Sequence, residues 1–111
     1  VGDEQLPLDL WWAEVSTEDL QATVPKMQEY GALDLVECGR AVAKMGDWDD
    51  LTDAQLIELG IAFYVKGKVE RLMEAYRLHR MPSEDTWKDI TVYSMMGRAA
   101  RMRGGWGDIV A

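Results

Sequence analysis

The chain has 111 residues, 48% of them hydrophobic and 29% charged, a globular mixture large enough for one domain with a modest core. The net charge of −8 excludes general nucleic-acid binding, which needs a basic footprint, and the longest uncharged apolar run, near residues 59–65, is far too short to span a membrane. That charge is uneven: residues 1–58 carry fourteen acids against three bases, and residues 59–111 carry nine bases against six acids.

Residues 1–15, VGDEQLPLDLWWAEV, show no sustained period and read as an extended N-terminal arm ahead of a single all-α domain over 16–111. Two adjacent tryptophans, Trp11 and Trp12, are costly to leave in water, so they cap this core or dock on a partner. Ser16, Thr17, Glu18 and Asp19 read as a helix start, with hydroxyl caps and acids in the first turn. Pro25 keeps that helix short or restarts it.

Tyr30-Gly31 punctuates the chain, and Leu35, Val36, Gly39, Val42 and Ala43 then form a helical stripe over about residues 32–45, stopped by Gly46. Cys38 lies within that stripe and reads as a core thiol; a lone cysteine has no internal disulfide partner, which favours a reducing cytoplasm. No basic start precedes an apolar segment, so no signal peptide is expected.

The sharpest local signal is Leu51-Thr52-Asp53-Ala54-Gln55-Leu56. Thr52 and Gln55 form a capping box, and Leu51 and Leu56 a hydrophobic staple. The helix beginning there runs to about His79 on Leu56, Leu59, Phe63, Val65, Val69, Leu72, Met73 and Tyr76, with Gly60 and Gly67 marking close packing or a bend. Pro82 ends the segment, and Ser83 caps a last helix carrying Ile90, Tyr93, Met96 and Ala100 to about Met102. GlyGly at 104 and 105 ends it, leaving Trp106 in a flexible GGWG tail. No segment alternates with a period of two. The fold expected is all-α, a helical bundle built on a long antiparallel helix hairpin.

Three constellations on that hairpin bear on chemistry. Glu70 and Glu74 share a helix face, as do Asp85 and Asp89, and a turn near residues 80–83 sets Glu74 and Asp89 at similar distances from it. Converging carboxylates are what Mg²⁺ needs; ordinary surface pairing, with Lys66 four residues before Glu70, is the competing reading. Lys66, Lys68, Arg71, Arg77 and Arg80 on the long helix, and Arg98, Arg101 and Arg103 on the last, either bind phosphate or complement a helix dipole. Most of Tyr64, Tyr76, Trp87, Tyr93 and Trp106 read as core, with Trp48 and Trp106 the freest to stack a base, and His79 reads as a capping or surface residue.

The run GKVERLMEAYRLHRMPSEDTWKDITVYSMMGR, preceded by EYGALDLVECGRAVAKM, resembles small phage-borne proteins at the edge of the MazG-like all-α NTP pyrophosphohydrolase superfamily. The shared features are a K-V-x-R-type long helix, a short turn and a D-[ST]-W-x-D-[IL]-x-x-Y helix, over roughly residues 29–106. The resemblance implies helical homo-oligomers that cleave nucleoside triphosphates to monophosphate and pyrophosphate with Mg²⁺. It places the catalytic and metal-ligating roles on Glu70, Glu74 and Asp89, and substrate binding on Lys66, Arg71, Arg98 and Arg101. The family's E-x-x-E and E-x-x-D acids are not reproduced: the spacings here are Glu70-x-x-x-Glu74 and Asp85-x-x-x-Asp89, and Val92 or Tyr93 stands where the second pair would close. Two other expectations therefore stand beside the hydrolase: a non-catalytic helical protein that binds a host factor through its acidic half and Trp11-Trp12, and a protein that sequesters a nucleotide signal without cleaving it.

Overall fold

The computed structural model describes residues 6–25 and 29–106. It is all-helical, with four helices, α1 (Leu8–Ala22), α2 (Ala32–Met45), α3 (Asp53–Arg77) and α4 (Glu84–Arg103), and no strand among the described residues. None of these helices is long and apolar enough to cross a membrane.

Helix α3 starts where the local chemistry directs. The Thr52 hydroxyl accepts from the Gln55 amide at 3.1 Å, and the Gln55 side chain accepts from the Thr52 amide at 2.9 Å. Its end is made by His79, whose φ of 58° turns the chain out of the helix while its amide donates to Tyr76 at 3.0 Å. Ser83 then caps α4 through the Asp85 amide at 3.2 Å.

Three expectations change. Residues 8–15 are not extended: they are the first half of α1, which begins directly after Pro7 and runs through the boundary expected at residue 15. Ser16 and Thr17 do not cap a helix there; their hydroxyls donate back to the carbonyls of Trp12 and Ala13 in the turn before. Residues 1–5 lie outside the described residues. Second, Trp106 is not free. It is buried, its indole N–H donating to the Tyr30 carbonyl at 2.8 Å. Gly104, at φ 76°, makes the left-handed turn that brings it there, with Gly105 donating to Ala100 at 3.0 Å. Third, Tyr76 and Trp87 are exposed rather than core, whereas Tyr64 and Tyr93 pack inside.

The core gathers Leu35, Val36 and Ala43 of α2, Leu56, Ile57 and Ile61 of α3, and Tyr93, Met96, Ala100 and Trp106 at the far end of α4. Helices α2 and α3 run antiparallel at close range, because Gly39 sits on the Leu56 carbonyl and Gly60 on the Leu35 carbonyl with no room for a Cβ at either place. At Gly67 the space a Cβ would enter is open, with nothing within 4 Å, so close packing explains Gly60 alone of the two. Helix α1 lies beside α4 and buries none of its residues; between the two are apolar cavities of about 250 Å³ and 370 Å³ that share Leu20, Thr23 and Val92.

Candidate functional site

The polar centre of the molecule lies where α2 begins and α3 and α4 cross. Tyr64 of α3 and Tyr93 of α4 stack in parallel, ring centroids 5.3 Å apart and planes 6° from coplanar. Tyr30 meets both edge-on, at 5.8 Å and 6.0 Å, and its hydroxyl is 2.7 Å from that of Tyr93. Burial pushes the Tyr93 phenol well above its ordinary value, helped by the Tyr30 hydrogen bond and the nearby charge of Asp89. Tyr64 is raised too, mainly by burial. Beside the rings, Lys68 reaches across from α3 to Asp89 on α4 at 2.9 Å, with 17% of the lysine side chain and 35% of the aspartate exposed. Cys38 adjoins this region as a half-buried thiol whose S–H points at the Gly60 carbonyl, 3.9 Å away; burial raises its pKa, which suppresses the thiolate.

The residues singled out from the sequence fall in different places. Asp89 is in this centre, but its neighbour is a lysine ammonium. Glu70 pairs with Lys66 one turn earlier on its own helix. Glu74 holds Arg77 through both carboxylate oxygens, at 2.6 Å and 3.0 Å, and that guanidinium keeps its carboxyl below the usual range. Arg101 makes a two-pronged contact with Glu58 at 2.6 Å and 2.7 Å, which ties α4 to the start of α3 and lowers the Glu58 pKa in the same way. Arg98 touches only the Met95 sulfur among the described partners, and Arg71 is exposed on α3.

These cross-helix pairs fix the hairpin register. With Lys68 opposite Asp89 and Glu58 opposite Arg101, Glu74 is level with residues 83–85, roughly 6–9 Å along the axis from Asp89 at 1.5 Å per residue. The turn is therefore asymmetric, and the level placement of Glu74 and Asp89 expected from the sequence is not observed. Mg²⁺ needs several carboxylate oxygens converging from one side. Glu70, Glu74 and Asp89 do not fit that requirement as one donor set, and among the described residues no group of three or more His, Cys, Asp or Glu side chains could hold a metal ion.

Sequence reasoning missed two features. Lys68 as the partner of Asp89 was hidden in a run of basic residues read together as phosphate ligands or complements of a helix dipole. The second is the exposed apolar set Val69, Met73, Tyr76 and Trp87, at 42%, 63%, 45% and 53% exposure, which merged with the core stripe in a linear reading. A signal existed: α3 carries an inward series at 57, 61, 64, 68, 72 and 75 and a second apolar series at 69, 73 and 76. Comparison of the chain with protein-family models, with curated proteins and with solved structures finds no match in any of the three.

Proposed function

We propose that this chain is a non-catalytic helical interaction protein built on a MazG-like hairpin, acting in a reducing cytoplasm. The observation that carries the reading is the exposed apolar face of the hairpin, where Val69, Met73, Tyr76 and Trp87 stand in water on the half nearest its turn, outside the buried core cluster. An apolar patch of that kind marks a contact surface. The charges point the same way. Each carboxylate that a pyrophosphohydrolase would direct at Mg²⁺ is engaged by a cation of its own chain: Glu70 by Lys66, Glu74 by Arg77, Asp89 by Lys68. On this reading the DTWKDI segment keeps its helix-forming residues, while Lys68 neutralises the half-buried Asp89.

The test is to incubate the pure protein with each nucleoside triphosphate and Mg²⁺, following pyrophosphate and the melting temperature. The reading expects neither product nor a shift. Pyrophosphate release abolished by Asp89→Asn would reinstate the hydrolase, and a nucleotide-dependent rise in melting temperature without product would favour sequestration of a nucleotide.

A further inference from the structure

Helix α1 meets α4 across a groove that neither helix fills. Its two cavities, of about 250 Å³ and 370 Å³, follow one another along the helices and join at Leu20, Thr23 and Val92, and together they have the size of a small-molecule site. The first runs toward the C-terminal end of α4, with Leu20 and Val24 on one wall and Met95, Ala99 and Trp106 on the other. The second runs toward the start of α4 and differs in character: Trp11 and Trp87 line it together with Asp19, Glu84 and Lys88.

The hydroxyls in these walls are already engaged. Thr23 donates to the Leu20 carbonyl at 2.7 Å and Thr91 to the Trp87 carbonyl at 3.1 Å, each within its own helix. Two indoles and three charges remain at the second cavity. Lys88 is 3.8 Å from Asp19, with the two side chains 44% and 41% exposed, so that pair is a loose one. Glu84 has no ion-pair partner among the described residues. Two carboxylates against one ammonium leave this end of the groove net negative, and α1 itself carries no lysine or arginine.

That combination selects among ligands. An anionic head meets two carboxylates and a lysine that Asp19 already holds. A bare metal ion is not suited, since no group of three or more ligating side chains is present among the described residues. An organic cation uses everything on the walls: the carboxylates answer its charge, and indole faces attract a weakly hydrated cation. The apolar cavity that continues from it accepts a hydrocarbon tail.

We infer that the α1–α4 groove binds a lipophilic organic cation, an alkylammonium with its head beside Trp11, Trp87, Asp19 and Glu84 and its tail along Leu20, Val92, Met95 and Ala99. The site goes beyond the interaction reading and does not depend on it, although Trp87 stands at the corner where groove and hairpin face meet. Filling the groove also gives α1, which buries none of its own residues, an apolar surface to close on.

The test is isothermal titration of the full chain with octyltrimethylammonium, against octyl sulfate, which keeps the tail under an anionic head, and tetramethylammonium, which keeps the head alone. The inference expects one saturable site for octyltrimethylammonium, at least about tenfold tighter than either comparison. Trp87→Ala should weaken it by about tenfold, whereas Trp48→Ala, similarly exposed but in the loop after α2, should leave it unchanged. Ala99→Phe, which fills the inner cavity, should abolish binding with an unchanged circular dichroism spectrum; should that variant not fold, the exposed Trp87 position decides alone. Absence of saturable cation binding overturns the inference. So does octyl sulfate binding as tightly, which would make the groove a reader of apolar length only. Equal effects of Trp87→Ala and Trp48→Ala also overturn it, because they would reduce the binding to unspecific attraction by an acidic chain.

Discussion

Gly39, Gly60 and Gly67 are three helical glycines with opposite expected behaviour. Alanine in a helix is worth up to about 1 kcal/mol over glycine, so propensity alone favours all three replacements. At Gly39 a Cβ would overlap the Leu56 carbonyl, and at Gly60 the Leu35 carbonyl; both obstacles are backbone on the facing helix and cannot swing aside. Separating α2 from α3 costs more than propensity returns. Gly39→Ala and Gly60→Ala should each destabilise by about 1–3 kcal/mol in urea unfolding, whereas Gly67→Ala, with nothing within 4 Å, should stabilise by up to about 1 kcal/mol. Equal effects at all three would show that α2 does not approach α3 this closely. Tyr93 supplies a pH test. Its pKa is raised in the fold, so the stability it confers is complete below the unfolded value of about 10 and is lost as pH rises towards the folded value. Tyr93→Phe forfeits the bond to Tyr30, about 1 kcal/mol near neutrality. The gap between parent and variant should narrow above about pH 10; a gap constant to about pH 11 would mean that Tyr93 stays protonated in both states.

The elements show which interactions a linear reading can reach. The start of α3 was legible because Thr52 and Gln55 satisfy each other within four residues, and the start of α4 because Ser83 caps its own first turn. Removing that first signal should register: Thr52→Ala is expected to cost about 1 kcal/mol, measured by chemical denaturation, and an unchanged midpoint would mean that packing around Leu51 and Leu56 sets the helix start alone. Local signals also misled. Ser16 and Thr17 carry cap-forming hydroxyls but spend them on the carbonyls one turn back, since Leu8 to Val15 already form a helix on which they can continue. The candidate site was less legible still. Asp89 was found, yet its relation to Lys68, Tyr30 and Tyr93 depends on a register set by contacts between residues 21 or more apart. Trp106 likewise owes its burial to Tyr30, across 76 residues of chain.

At the scale of the whole molecule, the four helices do not contribute equally. Helices α2, α3 and α4 share the buried core, while α1 buries nothing and is joined to α4 across two cavities by a single ion pair among the described residues, Asp19 to Lys88 at 3.8 Å. Exposed ion pairs contribute at most about 1 kcal/mol, and Leu8, Leu10 and Trp12 keep 75%, 45% and 68% of their surface in water. The Cα radius of gyration, 16.2 Å, exceeds the roughly 13 Å of a compact chain this long, as expected when one helix stands beside a core instead of within it. Stability should therefore reside in the other three helices. A chain beginning at residue 29 is predicted to unfold in one cooperative transition, with a melting temperature within about 5 °C of the parent and a helical signal reduced only by the residues of α1. Loss of cooperativity would place Leu20 and Val24, which face Met95 and Ala99 across the groove, among the residues that hold α4 in the core.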